Sequence, residues 1–307
     1  MEKMLAYYCY RRIFYAAPKK KDGPIKLPDG EQYFSRREQM LSLIDEMSAI
    51  PFEQVYITSF DGLKLAARYY HVKDGAPVHI QFHGYKGWAY RDFCGGNKLA
   101  RERGFNTLVV DQRAHGKSEG STISMGINER FDCLSWVKYI CERLGNDVKI
   151  VISGVSMGAA TVLMAAELDL PENVIGIIAD CPYSSPKEII TKVCRDMKLP
   201  AGPLYPFVKL GARLYGHFDL EAADAAEAVC HAKVPVLLIH GEDDRFVPCS
   251  MSKKIYDTAK SSNADADIIF ETFPEAGHGI SFMTDAKRYG EVLDRALALM
   301  EERSHHD

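Results

Sequence analysis

The stretch VKIVISGVSMGAATVLMAAEL, residues 148–168, changes character at its middle. Val148 to Ile152 is nearly all apolar, which suits a strand buried on both faces. Met157 to Leu168 is rich in Ala, Leu and Met, the strong helix formers. Between them stands Gly154-Val155-Ser156-Met157-Gly158, a G-x-S-x-G. A serine in that pattern sits on a sharp turn from strand to helix, so tight that bulky residues two positions either side would collide. Ser156 is therefore expected at a helix N-terminus. There the backbone N–H of Met157 is free and the helix dipole favours negative charge.

A second G-x-S-x-G occurs at Gly116 to Gly120, around Ser118. One such match is weak by itself, so context decides. The apolar run Thr107 to Val110 ends several polar residues before Ser118, and the following STISMG is β-branched and turn-like. Strand, turn and helix are not contiguous there. Ser118 reads as a hydrogen-bonded loop serine.

Working outward, short apolar runs alternate with helical stretches. PVHIQFHG, NTLVVDQ, VKIVISG, VIGIIADCP, VPVLLIHG and ADIIFETF read as strands. Helices are expected at about 92–103, 129–143, 157–168, 249–259 and 284–301, with an earlier one near 35–47. EQVYITSFDGLKLAARYYH adds two strands, with Asp61-Gly62 as a turn signal. Alternation of this kind implies an α/β fold: a mostly parallel twisted sheet with helices on both faces. Ligands bind such sheets at the carboxyl ends of the strands. From about 186 to 232 no strand is expected, only helical pieces broken by Pro200, Gly202, Pro203 and Pro206. This reads as a small helical cap. The division expected is a helical extension over 1–50 and one catalytic domain over 51–303.

A serine hydroxyl needs a base, normally a histidine oriented by a buried carboxylate. Of ten histidines, His278 in FPEAGHGIS follows the last strand on a Gly-rich loop, at the same sheet edge as Ser156. It is the best base. For the acid, HGEDDRFVP follows the strand PVLLI, and Asp244 is the choice. Glu242 and Asp243 are nearer the strand, and Asp180 after the preceding strand also competes. The order Ser156, Asp244, His278 is the one expected of this architecture. A second oxyanion donor is expected from QFHGYKG, where glycines permit close approach. The N–H of Tyr85 is the candidate, with His83 structural. Trp88, Tyr183, Tyr205 and Phe207 are candidates to border an acyl pocket.

HGYKG, DQRAHGKSEG, GVSMG, HGEDDRFVP and AGHG occur in that order between about Gln54 and Leu299. Together they resemble the alpha/beta-hydrolase superfamily, and within it the serine-aminopeptidase-like branch of intracellular esterases. The resemblance implies an alpha/beta-hydrolase fold and an architectural role for the DQRAHGKSEG loop. Its H-G-x-x-D-x-x-V-P pattern places the acid on Asp244. It leaves the substrate open, since relatives include esterases, lipases, thioesterases and peptidases.

The expected function is hydrolysis of small-molecule carboxylic esters or thioesters through an acyl-enzyme. An aminopeptidase or amide hydrolase, and a non-enzymatic binding protein on the same fold, are the alternatives. The formal charge of −4 gives no reason to expect nucleic acid as a partner. Eight scattered cysteines form no C-x-x-C pair or zinc spacing, and no metal or cofactor is expected. A reduced, cytoplasmic protein is the simpler reading. The N-terminal segment MEKMLAYYCYRRIFYAAPKKK carries too short an apolar run for a span. It reads as a helix packed on the domain, with weak peripheral membrane contact through its aromatic and basic residues as the second reading.

Overall fold

A computed structural model describes residues 1–17, 27 and 30–304. Lys19 to Lys21, His305 and His306 lie outside these residues. Among the described residues eight strands form one sheet: β1 Glu53–Thr58, β2 Lys64–Tyr70, β3 Val78–Phe82, β4 Asn106–Asp111, β5 Ile150–Val155, β6 Val174–Asp180, β7 Val236–Gly241 and β8 Ile268–Phe273. Their spatial order is β1-β2-β4-β3-β5-β6-β7-β8. Only β2 runs against its neighbours; all pairs from β4 to β8 are parallel. The expected α/β architecture is the one found.

The period-two pattern of the strands sorts their side chains between two cores. Ile150, Ile152, Val236 and Leu238 join Trp136, Ile140, Leu163 and Ile255 on one face. Val151, Leu237 and Ile239 join Leu99, Val292, Ala296 and Met300 on the other. The first face is covered by helices Glu129–Leu144, Met157–Ala165 and Cys249–Ser262, the second by Cys94–Glu102 and Ala286–Arg303. The helix Met157–Ala165 is buried along its whole length, which its run of small and apolar residues allows. Real boundaries fall within a few residues of those expected. A separate turn at Ala89–Asp92 precedes the helix Cys94–Glu102.

The region 186–232 carries helices Pro186–Asp196, Ala201–Gly211 and Ala225–Ala228 and no strand. Helix Glu2–Ile13 packs on Ala201–Gly211 through Ala6, Cys9 and Tyr10; a Cβ on Gly211 would stand 2.4 Å from the Ala6 carbonyl oxygen. The intramolecular packing reading of this helix therefore holds for its inner face. Its outer face leaves Met4 and Tyr8 exposed. None of the eight cysteines is in a disulfide. Among the described residues no helix is long and apolar enough to cross a membrane.

Candidate active site

The turn after β5 puts Ser156 at φ 56°, ψ −116°, a conformation that L-residues rarely adopt, with the helix beginning at Met157. The chain fits here only because the flanking residues lack side chains. A Cβ on Gly158 would lie 1.8 Å from the Phe82 carbonyl oxygen, and one on Gly154 would lie 2.1 Å from the Gly158 carbonyl carbon. The expected collision is thus with the end of β3 and with the turn itself.

His278 comes from the loop after β8 and Asp244 from the loop after β7. The Ser156 hydroxyl donates to His278 Nε2 at 2.9 Å, and His278 Nδ1 donates to Asp244 Oδ2 at 2.7 Å. Asp244 is 5% exposed, Ser156 6%, and the His278 side chain 13%. Three residues far apart in the chain therefore form one hydrogen-bonded line that opens to solvent at the imidazole. The phenyl ring of Phe246 stands edge-on to that imidazole, with centroids 5.1 Å apart.

The competing acids have other partners. Glu242 accepts from the Thr272 hydroxyl at 2.6 Å, and Asp180 from the Tyr289 hydroxyl at 3.1 Å. Asp243 is exposed. Asp244 alone of the four bonds to His278. Its other oxygen, Oδ1, accepts the N–H groups of Phe246 and Val247 at 2.9 and 2.8 Å. Burial works against its charge, but hydrogen bonds from His240 and His278 outweigh burial and hold the carboxyl well below the usual carboxylate range. His240, the penultimate residue of β7, is wholly buried beneath the acid. Its Nε2 lies 3.3 Å from Asp244 Oδ2 and 2.8 Å from the Val247 carbonyl, and its Nδ1 lies 2.6 Å from the Ser252 hydroxyl. A carbonyl only accepts, so Nε2 carries the proton.

The other loop at the serine follows β3. A Cβ on Gly84 would come within 3.4 Å of Ser156 Cβ, so the backbone of residues 84–85 runs against the nucleophile turn. His83 is fully buried: its Nε2 accepts the Gln112 N–H at 3.2 Å, leaving Nδ1 to donate to the Gly84 carbonyl at 2.8 Å. The structural role expected of that side chain is met. Asp92, paired with Arg91 at 2.7 Å, accepts the Gly84 N–H at 3.1 Å. Met157, the first residue of its helix, has a backbone N–H with no intrahelical acceptor.

Ser118 is elsewhere and occupied. Its hydroxyl donates to the Asp111 carbonyl and accepts the Ala66 N–H at 2.8 Å, tying β2 to β4. In the same loop Arg113 makes paired contacts with buried Asp132 at 2.7 Å and reaches Asp61 at 2.9 Å. That loop is architectural.

The four pocket candidates are not brought together. Tyr183 is in the core with its hydroxyl on the Met125 carbonyl at 2.9 Å. Tyr205 borders a cavity of about 870 Å³ between cap helices, with Glu188, Arg195 and Glu221, and no residue of the Ser156–His278–Asp244 line reaches that cavity. Phe207 packs half-buried on the main core. Trp88 stands before the turn Ala89–Asp92, edge-on to Tyr90. Gln32, Tyr33, Asp92 and His240 were not found from sequence. Only His240 carried a signal, as a histidine ending a buried strand two residues before the acidic cluster.

Cys181 Sγ, Asp244 and His278 place ligand atoms within 4.8 Å of one another. The imidazole and carboxylate are already bonded to each other, and burial pushes the thiol well above its ordinary pKa. The cluster reads as a line of hydrogen bonds with a neutral thiol beside it.

A profile described as "alpha/beta hydrolase fold" matches residues 80–202, and one for the dienelactone hydrolase family matches residues 201–302. The chain belongs to the alpha/beta-hydrolase superfamily. Among curated relatives of this alpha/beta hydrolase, the uncharacterized protein YqkD of Bacillus subtilis is 30% identical over 167 residues, 54% of this chain and 55% of the relative. The lysophosphatidylserine lipase ABHD12 of Danio rerio is 29% identical over 178 residues, 54% of this chain and 43% of the relative. The chain thus spans about half the length of these curated relatives. The Pyrococcus furiosus esterase Pf2001 superposes with a TM-score of 0.67 at 22% identity, covering 92% of this chain and 98% of the esterase. At that identity the likeness speaks for the fold.

Proposed function

We propose that the protein is a serine hydrolase of small-molecule carboxylic esters or thioesters, with Ser156, His278 and Asp244 as its triad. What supports this is the continuous line from hydroxyl to imidazole to ionised carboxylate at the carboxyl ends of the strands. His278 takes the proton as Ser156 Oγ attacks the acyl carbon; Asp244 fixes the tautomer and stabilises the imidazolium. The N–H groups of Met157 and Tyr85 hold the oxyanion, each donor of this kind contributing roughly 10²–10³ in rate. His278 then returns the proton to the leaving group, and water, activated by the same imidazole, releases the acid. We read 51–303 as the catalytic unit, 186–232 as its cap, and the protein as cytoplasmic.

An aminopeptidase would need a cap acid to grip the substrate amine, but those of the cap have other partners: Glu188 pairs with Lys254, Asp196 with Lys192, Glu221 with Lys209, Asp219 accepts the Glu221 N–H at 3.0 Å, and Asp224 caps the helix Ala225–Ala228. An ester substrate with a short to medium apolar acyl group is the better reading. Ser156→Ala should abolish turnover of a short p-nitrophenyl ester, while Ser118→Ala retains it. Turnover surviving in Ser156→Ala would overturn the proposal. A series of longer esters, ending with a lysophospholipid, would place the substrate class.

A further inference from the structure

The mechanism above uses nothing before residue 50, yet two pieces of that region reach the site from different sides. The short helix Glu31–Phe34 lies on the histidine loop. Gln32 Oε1 accepts the His278 N–H at 3.2 Å, and the Tyr33 hydroxyl donates to the His278 carbonyl at 2.9 Å. Both backbone polar groups of one residue are held by two adjacent side chains. The fit is close: a Cβ on Gly277 would stand 2.0 Å from Gln32 Oε1. Tyr33 is itself packed on the cluster of Met40, Ile44, Tyr70 and Phe93. Burial, reinforced by Cys181, Asp244 and Asp92, pushes its hydroxyl pKa up, so it remains a donor.

On the opposite side, helix Glu2–Ile13 ends against the loop after β3. The carbonyl of Ile13, in the last turn, has no partner within its helix. It accepts the Tyr85 hydroxyl at 2.5 Å. Tyr85 is the residue whose N–H is proposed to hold the oxyanion.

We infer that the N-terminal region is a positioning strap: Gln32 and Tyr33 fix the loop that carries His278, and the Ile13 carbonyl fixes Tyr85. The inference rests on the proposed triad. The strap residues touch no reacting atom; they act through the imidazole and the oxyanion donor. Released from them, each loop can drift, and a displacement of about 1 Å costs on the order of 100-fold in rate.

The test uses the full chain carrying Tyr33→Phe, Gln32→Leu, both together, Tyr85→Phe, or Gln32→Glu, beside Ser156→Ala. It reads kcat and KM on p-nitrophenyl butyrate, inactivation rate by a fluorophosphonate, and thermal midpoint. Tyr33→Phe, Gln32→Leu and Tyr85→Phe should each lower kcat by roughly 10–100-fold, slow inactivation in parallel, and leave KM within about twofold. Gln32→Glu keeps an acceptor and should restore kcat. Wild-type kcat in the double variant and in Tyr85→Phe overturns the strap, and so does a loss that follows the midpoint alone with no rescue by Gln32→Glu. If the double variant does not fold, Tyr85→Phe and Gln32→Glu decide. Full strap-variant activity with a dead Ser156→Ala sinks the strap alone. Activity in Ser156→Ala, or a wild type that neither turns over nor labels, sinks the reading beneath it.

Discussion

Ser156 should be a residue at which glycine is more stable than alanine. Its φ of 56° and ψ of −116° lie where a Cβ is strained. Ser156→Ala keeps the Cβ and the strain; Ser156→Gly removes both. Each variant loses the hydroxyl bond to His278, so that loss cancels in the comparison. Strain of this kind costs about 1–3 kcal/mol. Against its relief stands the extra entropy that glycine loses on folding, about 0.5–1 kcal/mol. The difference leaves Ser156→Gly more stable than Ser156→Ala by up to about 2.5 kcal/mol, the reverse of the order at an ordinary helix or strand position. Urea unfolding of both inactive variants, followed by the fluorescence of Trp88 and Trp136 and compared at a shared slope, measures it. An alanine variant as stable as the glycine variant, or more so, would refute the claim that this turn stores strain.

Gly158→Ala should lose soluble yield or more than about 3 kcal/mol of stability, because its Cβ would meet the Phe82 carbonyl oxygen at 1.8 Å and β3 cannot retreat; a wild-type midpoint would contradict this. Burial raises the Asp180 carboxyl to about 6, above its unfolded value, so the stability this group gives is full below about pH 4 and lost as pH rises through about 6. Asp180→Asn keeps an acceptor for Tyr289 and should therefore stabilise by up to about 3 kcal/mol at pH 8 and not at pH 4, read as thermal midpoints. His240→Leu leaves the Val247 carbonyl and the Ser252 hydroxyl unpaired and takes a hydrogen bond from Asp244; a loss of about 2–4 kcal/mol, with kcat falling more than KM changes, is expected.

What was legible in the sequence was local. Val148 to Leu168 carries its own strand, turn and helix, so the turn around Ser156 could be read without knowing what packs on it. The sheet was legible because buried parallel strands write continuous apolar runs. Asp244 was harder. Three acids stand in a row after β7, and only the fold decides which carboxylate faces His278; the family pattern supplied what spacing could not. Gln32 and Tyr33 carried no signal, because their partner His278 lies 246 and 245 residues away and the contact is to backbone. Tyr183 and Tyr205 misled for a related reason. An aromatic residue near a strand end or in a cap looks the same whether it lines a cleft or fills a core, and here Tyr183 spends its hydroxyl on the Met125 carbonyl.

The surroundings of Asp244 also bear on how activity should depend on pH. Both of its oxygens are hydrogen-bonded, one by two backbone N–H groups and the other by two imidazoles. Its pKa is depressed, so its contribution to stability is present above the unfolded carboxylate value, about 4, and is lost only as pH falls below that. Over the range in which an imidazole titrates, the acid therefore stays ionised. The acid limb of kcat/KM should then carry no proton from Asp244, and log kcat/KM should rise with a slope of one. A slope approaching two would mean that a second group of the free enzyme protonates in the same range. Asp244→Asn separates the cases. If a second proton belongs to Asp244, the variant loses it and returns to a slope of one. If it stays, the second group is elsewhere, and the buried carboxyl of Asp180 is the first to replace. A slope of two in the wild type that falls to one in Asp244→Asn would refute the claim that this carboxylate is held ionised.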